Sequence, residues 1–110
     1  MCWLVNSKKL CGMIGLARKA GKVVLGTDAC SEAIKKKKVK LIIISKGAAD
    51  RTKRMFKSLC EQSEIAIYEV LETDEISSAV GKDNKVVLGI NDKNFSEAIT
   101  KIINGGEVIG

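Results

Sequence analysis

The segment Arg18 to Ser31, RKAGKVVLGTDACS, carries the residues whose types and spacing best suit binding chemistry. It passes from a basic helix end through a short apolar strand and a glycine turn into a new helix. Backbone amides at that helix start can hold phosphate groups or base edges, with Gly26 permitting close approach and Lys19 and Lys22 supplying charge. A plain strand-to-helix turn that needs glycine for its dihedral angles is the competing interpretation, and the segment alone favours it.

Catalytic motifs find little support in the chain. Gly21 and Gly26 have the spacing of a nucleotide-binding P-loop, but Thr27 and Asp28 stand where the phosphate-binding lysine would be. The chain has no histidine, and no serine or cysteine lies in a recognisable nucleophile motif. We therefore expect neither enzyme activity nor a cofactor.

The four cysteines indicate a compartment, not a metal site. Cys2, Cys11, Cys30 and Cys60 form no Cys-x-x-Cys pair, and no histidine is present to complete a zinc site. Reduced cysteines acting as small hydrophobic side chains are expected, which favours the cytoplasm. No apolar run approaches the roughly 18 residues of a membrane-spanning helix. Lysines follow the apolar run of Met1 to Asn6 instead of preceding it, so no secretory signal is expected.

Charge is divided unevenly along the chain. Met1 to Lys57 contain 15 of the 19 basic residues and three acidic ones, a net charge of +12, and the remaining residues have a net charge of −6. A basic half of this kind attracts a polyanion such as nucleic acid, although lysines that only solubilise helix faces are an equal alternative. Glu72, Asp74 and Glu75 in the acidic half are explained by the positive end of a helix dipole.

Helical and strand patterns alternate along the chain without a proline break, a linker or an internal repeat. Leu41 to Ser45 is apolar on both faces, as in the central strand of a sheet covered by helices. We therefore expect one α/β domain over residues 1–110, a three-layer α/β/α sandwich with a mixed sheet of about four strands. Five helices are expected. The first covers Ser7–Ala20 and is ended by Gly21, the second is capped by Thr27 or Asp28, the third covers Asp50–Cys60, the fourth runs from Thr73 to Gly81, and the fifth runs from its cap Asp92 to Gly105 and Gly106. The expected strands are Lys22–Leu25, Leu41–Ser45, Ile65–Val70 and Lys85–Ile90.

Two segments resemble a known family over nearly the whole chain after Lys9. GLARKAGKVVLGTDACSEAI, followed by a lysine-rich turn and KLIIIS, resembles the ribosomal proteins called L-seven-Ae in archaea and L-thirty-e in eukaryotes. AVGKDNKVVLGINDKNFSEAI is closer to the bacterial YlxQ-type branch of that family. The resemblance implies the ribosomal L-thirty-e-like sandwich fold and binding of kink-turns or related internal-loop RNA, as a ribosomal or ribosome-associated protein.

The resemblance also implies which residues contact RNA. In the family, the glycine turn and the helix start after it enter the RNA, and a loop after the fourth helix covers a flipped-out base. Basic side chains that flank these segments are expected to contact the RNA as well. Carried over by position, the RNA-binding residues are Arg18, Lys19, Lys22, Gly26, Thr27, Asp28, Ala29, Ser31, Glu32, Lys35, Gly81, Lys82, Asp83 and Asn84.

The chain departs from the archaeal pattern inside the glycine turn. Asp28, Ala29 and Glu32 stand where archaeal members carry an Asn-Glu pair and a lysine. This departure motivates an alternative function, a protein-interaction or regulatory domain that keeps the fold and has lost kink-turn recognition. A third alternative, an RNA methyltransferase, would need a catalytic domain for which the chain leaves no residues. The expected partner is structured RNA, with neither a membrane nor a metal involved, and the oligomeric state is open, with a monomer expected.

Overall fold

The computed structural model describes residues 7–105. The predictions that concern Met1 to Asn6, Cys2 and Gly106 lie outside the described residues. The helices are α1 (Ser7–Lys19), α2 (Thr27–Lys35), α3 (Asp50–Ser63), α4 (Thr73–Val80) and α5 (Lys93–Ile103), and the strands are β1 (Val23–Leu25), β2 (Leu41–Ser45), β3 (Ala66–Leu71) and β4 (Val87–Ile90).

The four strands of the described chain form one mixed sheet in the order β1-β4-β2-β3. β4 runs antiparallel to both of its neighbours, β1 and β2, whereas β2 and β3 are parallel. All five residues of β2 are buried, and β2 lies inside the sheet. The prediction of a central strand at Leu41 to Ser45 is therefore confirmed.

The sheet separates two hydrophobic clusters because successive side chains of a strand point to opposite faces. Leu41 and Ile43 pack into the cluster beneath α1, α4 and α5, and Ile42 and Ile44 pack into the cluster beneath α2 and α3. Helices thus cover both faces of the sheet, and the predicted three-layer α/β/α sandwich is confirmed. No described helix combines the length and apolar character that crossing a membrane requires.

Most helix ends follow the sequence signals. The side chain of Asp92 accepts a hydrogen bond from the Phe95 N–H at the start of α5, as predicted. Glu72 and Glu75 form a reciprocal capping box at the start of α4, which confirms the structural explanation of these carboxylates. Gly21, with φ 74°, follows the end of α1 as expected.

Several predicted boundaries are wrong. Helix α3 extends to Ser63 instead of ending at Cys60, and the ends of α1, β1 and β3 differ by one residue. Two further differences concern the starts of α2 and β4. The cap of α2 is Gly26, and neither Thr27 nor Asp28 caps it, because both belong to the first turn of the helix. The last strand begins at Val87 instead of Lys85, since the Lys85 N–H donates to the Ser77 hydroxyl at 3.4 Å and so joins α4 instead of the sheet. Both differences lie at the edge of the sheet where the candidate interface is built.

Candidate nucleic-acid interface

One edge of the sheet brings together segments that are distant in sequence. β1 ends at this edge and β4 begins there, because the two strands pair antiparallel with Leu25 opposite Leu88. The Gly26 N–H donates to the Val87 carbonyl at 3.1 Å, so the turn after β1 lies against the segment that enters β4. We call this edge, defined by Gly26 and Val87, the turn edge.

Gly26 gives the turn edge an open helix start. Its φ of 93° and ψ of 161° lie in a region that only glycine adopts without strain. No side chain caps α2, and the Cys30 N–H is bonded to the Gly26 carbonyl at 3.0 Å. The amides of Thr27, Asp28 and Ala29 therefore belong to the first turn, where helical N–H groups have no carbonyl partner within the helix. Such amides can donate to an anion or to a base edge.

Lys85, which is not among the predicted site residues, supplies positive charge next to this helix start. Its ammonium Nζ lies 3.7 Å from the position that a Cβ atom would occupy on Gly26. The signal that could have identified it is its position directly after Asn84, the last residue assigned to the second loop. A basic residue at the end of that loop returns toward the glycine turn because β4 and β1 are paired.

The second predicted segment, Gly81 to Asn84, is exposed. It lies at the turn edge because the residue that follows it, Lys85, places its ammonium group next to Gly26. It opens with Gly81 at φ 72° and contains Asn84 at φ 57°, so two left-handed residues shape it. Arg18 lies beside its start, where the guanidinium Nε donates to the Val80 carbonyl at 3.4 Å. The structure therefore links Gly26 to the end of the second loop through Lys85, and Arg18 contacts the other end of that loop, at Val80.

An acidic depression borders the second loop. It has a volume of about 640 Å³ and is lined by Glu72, Thr73, Asp74, Ser77, Asp83 and Asn84. Carboxylates at its wall disfavour the close approach of phosphate groups. On the α2 side, Glu32 forms an exposed ion pair with Lys36 at 3.9 Å, a kind of pair that contributes little energy. Negative charge therefore limits the turn edge on two sides.

Three predicted basic residues are not brought to the glycine turn. Lys22 directly precedes β1, and its carbonyl accepts the Asn91 N–H at 3.0 Å. Lys22 therefore lies at the other end of the strand from Gly26, about 13 Å away. Lys35 lies at the end of α2, about 12 Å from Thr27 along the helix axis. Lys19 ends α1 just before the turn that leads to Lys22.

The remaining predicted residues lie along α2. Asp28, Ala29 and Glu32 are exposed, and Ser31 is half-buried. Their contact with RNA remains a prediction. Residues 7–105 hold no cluster of histidine, cysteine and carboxylate side chains suited to a metal ion.

A family model identifies the chain. The model described as Ribosomal protein L7Ae/L30e/S12e/Gadd45 family matches residues 8–100. The chain belongs to this family. The chain is similar to the RNA-binding protein YlxQ of Enterococcus faecium, with 31% identity over 91% of this chain and 96% of that protein. The RNA-binding protein YlxQ of Bacillus subtilis is 24% identical over 84% of this chain and 92% of its own length.

Two solved structures share the fold of this chain. A protein of unknown function from Bacillus halodurans shares 28% identity and superposes with a TM-score of 0.84, over 87% of this chain and 97% of that one. The Giardia lamblia 15.5kD RNA binding protein, at 15% identity, superposes with a TM-score of 0.75 over 93% of this chain and 88% of that one, which shows a shared fold. The predicted family, with its YlxQ-like branch, is confirmed, and the relatives support the prediction that the chain is not an enzyme.

Proposed function

We propose that this family member is a non-enzymatic RNA-binding domain that holds structured RNA at the turn edge. The observation that carries the proposal is the juxtaposition of the uncapped start of α2 at Gly26 with the ammonium group of Lys85. The amides at the start of α2 can donate hydrogen bonds to an unpaired base or to a phosphate, and the ammonium group beside them can bind the neighbouring RNA phosphate. Two similar proteins are named RNA-binding protein YlxQ, which supports the proposal.

The finer proposal concerns the kind of RNA. An internal loop of the kink-turn type presents unstacked bases next to a sharply bent backbone. The exposure of Gly81 to Asn84 supports the proposal that this loop covers such a base. We propose that Thr27, Asp28, Ala29 and the second loop contact this RNA within a cytoplasmic ribonucleoprotein, such as the ribosome. Asp28 and Glu32 reduce the affinity for the phosphate backbone in comparison with a neutral turn.

The test is a binding titration with two RNAs, one with an internal loop and one in which the loop is closed by base pairs. The RNA with the loop should bind more tightly. Lys85→Gln should weaken its binding and reduce the slope of log K against log salt by about 0.9, the value for one lost phosphate contact. Lys101→Gln, which removes an exposed lysine of α5, is the matched control and should change neither quantity. Equal binding of both RNAs, unaffected by Lys85→Gln, would rule out the turn edge.

The acidic depression favours a second candidate, a protein-interaction domain that has lost RNA recognition. Of the acidic stretch Glu69 to Glu75, Glu69 is already engaged, because its carboxylate lies 2.9 Å from Lys53 Nζ and 3.6 Å from Lys57 Nζ. The hydrogen bond from Lys53 lowers the pKa of Glu69. A basic partner segment would therefore use Glu72, Asp74 and Asp83. RNA that copurifies with the protein at stoichiometric level would exclude this candidate.

A further inference from the structure

The end of the sheet opposite the turn edge gathers lysines from three separate segments. The Lys40 N–H donates to the Ile90 carbonyl at 2.7 Å, and the Asn91 N–H donates to the Lys22 carbonyl at 3.0 Å. The starts of β1 and β2 therefore lie on either side of the end of β4. α5 begins directly after this end, and the connection from α2 to β2 leads into it. The lysines of this end, which we call the lysine pole, are Lys22, Lys37, Lys38, Lys40 and Lys93.

The lysine pole is free to bind a ligand. All five of its residues are exposed, and none of them takes part in an ion pair within residues 7–105. Asp92, next to Lys93 in the sequence, accepts the Phe95 N–H at 2.9 Å and keeps one negative charge at this end of the sheet. Glu64 ends α3 and precedes β3, which is parallel to β2, so this carboxylate lies at the same end of the sheet, near Lys40 and far from Lys22. The five lysines still outnumber the acidic residues Glu64 and Asp92 at this end.

The backbone at Lys37 gives an independent reason to assign a role to this charge. Lys37 has φ 56°, and the Lys38 N–H donates to the Ala33 carbonyl at 2.8 Å while the Lys37 N–H donates to the Ile34 carbonyl at 3.0 Å. These bonds form a Schellman motif, in which the left-handed position is usually glycine or asparagine. Lysine is less favourable there because its Cβ atom crowds the backbone. The positive charge is thus present at a position where the fold alone favours glycine.

From these observations, we infer that the lysine pole is a second RNA-binding surface that holds the phosphate backbone of a double helix. Lysines act as point charges on phosphates, and single-stranded RNA would in addition need aromatic side chains for base stacking. The aromatic side chains of the described chain, Phe56, Tyr68 and Phe95, pack against the two core clusters instead. The five residues of β2 separate the pole from the turn edge by about 16 Å, so one RNA phosphate cannot contact both.

This surface extends the proposed function without depending on the same residues. A structured RNA with an internal loop also has helical arms. A protein with phosphate-binding groups at both ends of its sheet can hold the loop at the turn edge and a helical segment at the pole. The two contacts should then be separable by mutation and by the choice of RNA.

The test uses the full chain and a perfectly paired RNA duplex without an internal loop. The pole variant combines Lys22→Gln, Lys38→Gln and Lys40→Gln. The matched control combines Arg51→Gln, Arg54→Gln and Lys101→Gln, which removes the same charge from exposed positions of α3 and α5. We expect the pole variant to reduce the slope of log K against log salt by about 2 to 3, and the control to leave it nearly unchanged. Circular dichroism verifies that both variants are folded.

Two more variants distinguish this inference from the proposed function. Lys85→Gln should weaken binding of the RNA with the internal loop more than it weakens duplex binding, and the pole variant should show the opposite preference. Lys37→Gly should raise the urea midpoint of unfolding, because glycine adopts the left-handed conformation without strain, and should still weaken duplex binding. A purely structural role for Lys37 does not predict weaker binding by a more stable variant. If the pole and control variants lose duplex affinity equally, or if the unmodified protein does not bind the duplex at low salt, the lysine pole is excluded while the turn edge is unaffected.

Discussion

The ammonium group of Lys85 lies 3.7 Å from the Cβ position of Gly26, and this proximity joins the turn after β1 to the loop before β4. A methyl group on Gly26 would meet Lys85 only at an ordinary contact distance. The cost of Gly26→Ala is therefore conformational, because φ 93° with ψ 161° is strained for any residue with a Cβ atom. We expect this variant to lose about 1–3 kcal/mol of unfolding free energy, measured by urea denaturation.

The control for Gly26→Ala is Gly12→Ala. Gly12 lies on the exposed side of α1, and a Cβ atom there would meet nothing within 4 Å. Since alanine favours a helix interior, this variant should gain about 0.5–1 kcal/mol. An equal change in both variants would contradict the special conformation of Gly26.

We expect Asp28 to have opposite effects on stability and on RNA binding. It lies in the first turn of α2, where its negative charge interacts favourably with the helix dipole. Asp28→Asn should therefore lower the unfolding free energy by about 0.3–1 kcal/mol and strengthen the binding of internal-loop RNA several-fold at low salt. Glu97→Gln, on exposed α5, is the control and should leave RNA affinity unchanged. Weaker RNA binding by Asp28→Asn would mean that the carboxylate accepts a hydrogen bond from the RNA.

Ser45 holds the end of β2 to the start of α4. Its fully buried hydroxyl accepts the Gly47 N–H at 2.9 Å and shares a hydrogen bond with the Thr73 hydroxyl at 2.7 Å. Ser45→Ala leaves both partners without this bond, which should cost about 1–3 kcal/mol of unfolding free energy. The exposed Ser58→Ala on α3 should stay within about 0.5 kcal/mol of the unmodified protein. Calorimetric melting of the two variants side by side measures the difference.

Alkaline pH should destabilise the protein through its buried cysteines. Burial, with a smaller contribution from the charge of Cys60, raises the pKa of Cys30 from 9.0 to about 12, and burial raises the pKa of Cys60 to about 11. The folded state therefore keeps these protons while the unfolded chain loses them, so unfolding free energy should fall as pH rises above about 9. Urea denaturation at a series of pH values measures the slope. Cys30→Ala should make it shallower, and an unchanged slope would contradict the raised pKa of Cys30.

Hydrophobic patterning allowed the fold to be predicted. A strand buried on both faces must be covered on both faces, which is why Leu41 to Ser45 predicted an interior strand and a three-layer sandwich. Capping residues were less decisive, because a helix start needs a particular backbone conformation as well as a polar side chain. Gly26 supplies that conformation, and Thr27 and Asp28 were therefore misassigned as caps.

The sequence by itself determined the elements, the family and the excess of positive charge in the first half of the chain. The tertiary structure decided which basic residues lie together. Lys22 is four positions from Gly26 but lies at the other end of a strand, because extended backbone advances about 3.3 Å per residue. Lys85 is distant from Gly26 in sequence and lies beside it, because β1 and β4 pair antiparallel. Separation along a chain does not determine separation in space once strands pair, so a single basic region of the sequence becomes two surfaces at opposite ends of the sheet.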